Sequence, residues 1–339
     1  MKDDQRVGAM YWIDHFVVGT TDVPRWGKWA DEVLGASHTW NNTDARGPQG
    51  AVFRDLGGCH IAAFLNDRMP SDPGLGQGMP RYGMYIRAED IDRQLNRLDQ
   101  LGVRHSEPWR ETGLGEPGVA IAFEDFDHNQ YELWAPDELP DGAMDGIGEV
   151  GIGRLSHAIF ESRDFARTTA FYSRYCGVDP LPASSVEEDA LVFPLVAAGR
   201  LIFKKVDQLS MRTGGSTRIF GAHTAFIIRN EEFLPAYEKL WADLSEWNYD
   251  RRAEGPLADP GALPARTGMH GSEAGRLWKK VYGRGDAIID PDTNNFHFVG
   301  GTSSEPTMAR YQAHYMEEHI EAYLKEHPEA AAKASPPSR

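Results

Sequence analysis

One order of segments, a strand, a helix and then further strands, recurs four times between residues 11 and 301, and it constrains the fold of this chain more than any other feature. The first opening strand is Tyr11-Trp-Ile-Asp-His-Phe-Val-Val-Gly19, rich in aromatic and β-branched residues. Thr21-Asp22-Val-Pro24 sets an acceptor side chain ahead of a proline, which predicts a helix start, and Gly35 predicts its end. Extended runs at 51–56 and 59–65 complete the unit. The second unit opens at Tyr82-Gly-Met-Tyr-Ile-Arg87, passes through a periodic helix over 90–101 and returns through 119–123 and 131–134.

An acid-, Gly- and Pro-rich stretch, 136–150, reads as an exposed linker. The same order then resumes with a strand over Arg154-Leu-Ser-His-Ala-Ile-Phe-Glu161, a helix over 164–175 and a stop at Gly177. His223-Thr-Ala-Phe-Ile-Ile-Arg229 opens the fourth unit, followed by a predicted helix over 231–247. Spacing supports a duplication, since 68 residues separate His15 from Gly83 and 66 separate His157 from His223. The match then breaks: 49 residues lead from Gly83 to Glu132, but 74 lead from His223 to His297. About 25 extra residues therefore fall in the last unit, most simply within 251–280, and long insertions of this kind are often lids or binding loops. Residues 308–327 carry an amphipathic helical pattern, and an Ala/Pro/Ser-rich tail follows. The expected domains are 9–137 and 151–303, with 304–339 as a C-terminal helix and tail.

The formal charge of −16 disfavours a binder of nucleic-acid phosphates, which relies on Lys and Arg, and it disfavours an anionic membrane surface as a partner. Its distribution is uneven, with 26 acids against 13 bases in residues 1–150 and 25 against 22 thereafter. Cys59 and Cys176 are the two cysteines, and no apolar run is long enough for a signal peptide or a membrane span. The expected location is the reducing cytoplasm, with both thiols free.

Two kinds of segment carry a resemblance. One is the opening strand with a central histidine, Ile13-Asp-His-Phe and Leu155-Ser-His-Ala. The other is the closing Asp-Xaa-Asn turn and strand, Asp127-His-Asn-Gln-Tyr-Glu132 and Asp292-Thr-Asn-Asn-Phe-His297. With the fourfold layout, over roughly residues 11 to 301, these resemble the vicinal oxygen chelate superfamily of glyoxalases, bleomycin-resistance proteins and extradiol ring-cleaving dioxygenases. The resemblance is greatest to the two-domain extradiol enzymes. It implies an α+β fold of four βαβββ modules paired into two half-open barrel domains, plus the C-terminal helix.

The resemblance further implies a metal held by His157, His223 and His297 in the C-terminal pair, with His297 at a position where the family usually has a carboxylate. Fe(II) is the implied ion, with Zn, Mn, Co or Ni as alternatives, because three neutral imidazoles and a water also describe a hydrolytic zinc site. In the N-terminal pair Gly83 stands where a middle ligand is expected. That half is therefore expected to be a degenerate copy, with His15, His60 and Glu132 as the alternative site. His270, in the inserted loop, has the near-neutral pKa of an acid/base group, and Tyr282 precedes the last strands as a proton donor. The expected function is a metal-dependent dioxygenase that uses O2 to cleave a carbon–carbon bond in a phenolic or catechol-like substrate, acting as a homodimer. The alternatives are a non-redox isomerase, lyase or hydrolase of the glyoxalase type, and a metal-free protein that binds an aromatic ligand.

Overall fold

The computed structural model of the protein describes residues 9–42, 51–57, 59–66, 72–145, 147–209, 223–229, 288–290, 292 and 294–301. Unit one comprises β1 (Trp12–Thr20), α1 (Val23–Trp29), β2 (Ser37–Asn42), β3 (Ala51–Leu56) and β4 (Cys59–Leu65). Unit two comprises β5 (Arg81–Tyr85), α2 (Ile91–Gln100), β6 (Trp109–Glu111), β7 (Gly118–Glu124) and β8 (Gln130–Pro136). Unit three comprises β9 (Leu155–Ser162), α3 (Phe165–Tyr175), β10 (Ala190–Pro194) and β11 (Arg200–Lys205), and unit four contributes β12 (His223–Arg229), β13 (Ile288–Ile289) and β14 (Asn295–Gly301). The expected helix over 231–247, the insertion at 251–280 and the helix over 308–327 lie outside the described residues. No helix among the described residues is long and apolar enough to cross a membrane.

The helices that follow β1 and β9 begin alike. Asp22 and Asp164 each accept a hydrogen bond from a backbone N–H three residues on, at 3.0 Å from Arg25 and 3.1 Å from Arg167, satisfying a donor that the first helical turn leaves open. α1 runs on through a π turn and stops at Gly35, whose φ of +66° suits glycine.

The strands form two seven-stranded sheets, in the orders β13-β14-β12-β1-β4-β3-β2 and β10-β11-β9-β5-β8-β7-β6. The fold is mixed α+β, mostly strand, with curled sheets forming half-barrels. Each sheet draws on both halves of the sequence. β1 pairs antiparallel with β12, so the first sheet joins units one and four, and β5 pairs antiparallel with β9, so the second joins units two and three. This corrects the expected pairing of one with two and three with four. The linker supplies the reason, because it turns back directly alongside β5. Gly153 N–H donates to the Tyr85 carbonyl at 2.7 Å, and Tyr85 N–H donates to the Arg154 carbonyl at 2.9 Å, so β9 is laid against β5 as soon as it begins.

Sequence neighbours still interlock, through the Asp-Xaa-Asn turns. Asp127 reaches from unit two to the β1–α1 corner of unit one, accepting from Thr20 Oγ1 at 2.6 Å, Thr21 N–H at 2.9 Å and Thr21 Oγ1 at 2.7 Å. Asp292 repeats this from unit four to unit three, taking a 3.0 Å bond from Arg163 Nε beside α3. Each turn is braced from within, with Asp125 Oδ1 accepting the N–H groups of Asp127 and Asn129 and Asp290 Oδ1 those of Asp292 and Asn294.

Candidate metal centre

Alternate residues of a strand face opposite sides, so matched residues on neighbouring strands share a face. In the second sheet the pairings Glu132–Gly83, Gly83–His157 and His157–Arg200 place four residues in one row across β8, β5, β9 and β11. In the first sheet the equivalent row is His297, Ala225, His15 and His60 across β14, β12, β1 and β4. The closing motifs fix this equivalence, since Glu132 and His297 each lie five residues after the turn aspartate.

The second row neutralises itself. Glu132 and His157 are each 2% exposed, and His157 Nε2 lies 2.8 Å from Glu132 Oε2. Its Nδ1 lies 3.0 Å from Ser156 Oγ, so both ring nitrogens have partners. Arg81 Nε is 2.8 Å from Glu132 Oε1. Burial by itself would raise the Glu132 pKa, but the charge of Arg81 and the hydrogen bond from His157 overcome this and hold it at about 2. Burial likewise pushes His157 below the ordinary histidine range, despite Glu132. Arg200 donates to the Leu114 carbonyl at 2.8 Å and meets Glu116 Oε2 at 3.0 Å. Leu114, Ile159, Ala190, Val192 and Ile202 pack as an apolar cluster on this face. Gly83 is what lets His157 lie across the sheet, because a Cβ at that position would stand 2.1 Å from His157 Cε1.

In the first row histidines stand at three of the four positions, and Asp55 on β3 is paired with His60. His15 and His60 are paired on adjacent parallel strands, and His297 is aligned with the β12 residue opposite His15. His223 lies two residues before Ala225 on the same face, and its ring centroid is 5.5 Å from that of His15. Asp14, 2% exposed, sits behind His15 with Oδ2 2.7 Å from Nδ1. Burial opposes the Asp14 charge, but the bond to His15 and the charges of His15, His60 and Arg154 outweigh it and keep the carboxyl below its usual range. Val17, Ala51, Phe53, Ala62 and Phe64 form an apolar cluster on the same face as the histidines, with the two Phe rings edge-on at 5.7 Å.

The structure thus does not bring the expected triad together. His157 stands in the second sheet, while His223 and His297 stand in the first, because β9 pairs with β5 and β12 pairs with β1. The match of His223 to Gly83 also shifts, since Ala225 is the true counterpart of Gly83 and His223 occupies the place of Arg81. The alternative set divides too: His15 and His60 share the first row, and Glu132 belongs to the second. His270 and Tyr282 lie outside the described residues. Asp14 was not anticipated, although the Asp-His and Ser-His dipeptides of the two opening strands already distinguish the two rows in the sequence.

Among the described residues one trio brings three potential metal-ligating atoms within 4.8 Å of one another: Asp72, Glu124 and His128. Arg104 already occupies it, with Nη1 2.8 Å from Asp72 and 3.0 Å from Glu124, so one cation already bridges its two carboxylates.

Residues 12–133 match the family model described as the glyoxalase/bleomycin resistance protein/dioxygenase superfamily. No curated protein matches the chain. Among solved structures, a "putative dioxygenase" from Bacillus subtilis is similar over 98% of both chains at 13% identity, with a TM-score of 0.56. A point mutant of glyoxalase I from Zea mays is similar over 92% of this chain and 95% of that one, at 14% identity and a TM-score of 0.53. At these identities the likeness is one of fold.

Proposed function

Residues 12–133 form a domain of the glyoxalase/bleomycin resistance protein/dioxygenase superfamily, and from that premise we propose that the protein is a metal-dependent enzyme with its centre on the histidine face of the first sheet. The observation that carries this reading is the contrast between the two equivalent rows. In one, Glu132 is closed on His157 and Arg81, and in the other His15, His60 and His223 stand on a face they share with an apolar cluster. The donor set fits a borderline divalent ion, since imidazole suits Fe, Zn, Ni and Cu. His15, His60 and His297 would hold it, with His223 alongside.

We further propose a dioxygenase acting on a phenolic or catechol-like substrate. Bound to neutral imidazoles, Fe(II) would keep its full positive charge for two neighbouring anionic oxygens of the substrate and supply redox chemistry with O2. The chain's own residues support a flat ring. Phe53 and Phe64 offer aromatic surfaces, and Val17, Ala51 and Ala62 are small side chains on the same face as the histidines. The buried Asp14 holds His15 in place, so the row is ordered before a ligand arrives.

Anaerobic purification, metal analysis and O2-uptake assays on a panel of catechols test this reading. The expected result is one iron per chain, O2 uptake dependent on substrate, and loss of iron in His15→Ala and His60→Ala but not in His157→Ala. Stoichiometric zinc with turnover independent of O2 would replace it with glyoxalase-type isomerase, lyase or hydrolase chemistry, and a protein that retains no metal would replace it with a binding role.

A further inference from the structure

The two sheets share a backbone plan but differ in what stands behind the central histidine. In the first sheet that residue is Asp14, with Oδ2 2.7 Å from His15 Nδ1. In the second it is Ser156, with Oγ 3.0 Å from His157 Nδ1. The pairing of β1 with β12 shifts register between Ile13 and His15, and an irregularity of this kind re-aims neighbouring side chains. It falls at Asp14, and the carboxylate is buried against the ring that follows it in the chain.

The chemistry of the two partners is not equivalent. An ionised carboxylate only accepts, so it fixes His15 with the proton on Nδ1 and the lone pair on Nε2. A serine hydroxyl either donates or accepts, so it selects neither tautomer, and it carries no charge. A carboxylate behind a ligating histidine also makes that histidine a stronger donor. We propose that Asp14 is the positioning residue of this centre: through His15 it sets the ligating nitrogen and adds a buried negative charge behind the histidine row. This rests on the reading of His15 as a ligand. On this view the step from a live row to a closed one involves the residue behind the histidine as well as the ligands in front of it.

The test uses the full chain, stripped of metal with a chelator and titrated with Co(II), followed by calorimetry and by the visible absorption of the ion. Asp14→Asn keeps an acceptor at the same place without the charge, and Asp14→Ser copies the second sheet. We expect Co(II) affinity to fall roughly tenfold in Asp14→Asn and further, toward a hundredfold, in Asp14→Ser, with a shift of the visible bands. In the metal-free wild type, 15N NMR of the imidazole should show His15 protonated at Nδ1, a readout that needs no variant to fold. Wild-type affinity in both Asp14 variants while His15→Ala and His60→Ala lose Co(II), or an Nε2-protonated His15, would overturn the role of Asp14 and leave the site standing. Wild-type Co(II) binding in His15→Ala and His60→Ala would remove the site itself.

Discussion

A single methyl group at Gly83 should cost this protein about as much as a typical core truncation. A Cβ there would lie 2.1 Å from His157 Cε1 and 2.4 Å from both ring nitrogens, whereas ordinary contacts begin near 3.4 Å. The ring must therefore retreat by more than an ångström, which breaks its 2.8 Å bond to Glu132. Leaving a buried charged group short of a hydrogen-bond partner costs about 3 kcal/mol or more. Arg81 stays on Glu132, which keeps the loss near the lower figure. Alanine in a strand recovers about 0.5–1 kcal/mol relative to glycine. The net expectation for Gly83→Ala is a loss of about 2–4 kcal/mol, a large part of the 5–15 kcal/mol typical of a folded domain. Equilibrium urea denaturation measures it, and a double-mutant cycle with His157→Ala isolates the cause. Without the imidazole the added methyl group has room, so the same change should cost less than about 1 kcal/mol in that background. Equal costs in both backgrounds, or a loss under 1 kcal/mol in the wild type, would refute the packing argument. Loss of metal from a folded Gly83→Ala protein would return the second sheet to a role in the chemistry.

Further expectations follow from other contacts. Glu132, held at about 2 against an ordinary 4.5, contributes stability that is fully present above pH 4.5 and lost as pH falls toward 2, by about 3 kcal/mol. Asp125 has the opposite slope, since burial raises it to about 6 and it costs stability as pH rises from 3.8 toward that value. Subtracting the denaturation profile of Glu132→Gln from that of the wild type isolates the Glu132 contribution, and a flat difference between pH 4.5 and 2 would contradict it. Asp127→Ala removes three hydrogen bonds to the β1–α1 corner and should cost about 2–4 kcal/mol by denaturation, whereas an exposed aspartate would cost almost nothing. Phe64→Ala should raise KM for the best catechol about tenfold while metal content stays unchanged, and unchanged KM would remove the aromatic wall from the binding site.

Local features were legible in the sequence. Asp22 and Asp164 mark helix starts because a cap needs only the next few residues, and Gly35 marks a stop because its backbone angle favours glycine. The fourfold order was equally clear. Which strands pair was not, because β1 could satisfy its backbone groups against either β5 or β12, and hydrophobic alternation is the same in both cases. That ambiguity misled the site as well. His157 looked like a partner of His223 and His297 by order in the chain, and His223 looked aligned with Gly83 by approximate spacing. Register places Ala225 there instead, and a shift of two residues is invisible when nearby histidines are matched by count. The Asp14–His15 pair was visible as a dipeptide, but its weight appears only beside Ser156–His157.

The joining of the first and last units into one sheet sets a schedule for synthesis. β5 meets β9 with 74 residues between Gly83 and His157, whereas His15 waits for Ala225, 210 residues later. At about 5–20 residues per second on the ribosome, that wait lasts on the order of 10–40 seconds. Throughout it β1, a strand buried along its whole length in the finished protein, has no β12 of its own chain to pair with. A neighbouring nascent chain could offer one, and an exchange of that strand between copies would leave each site drawing its imidazoles from two polypeptides.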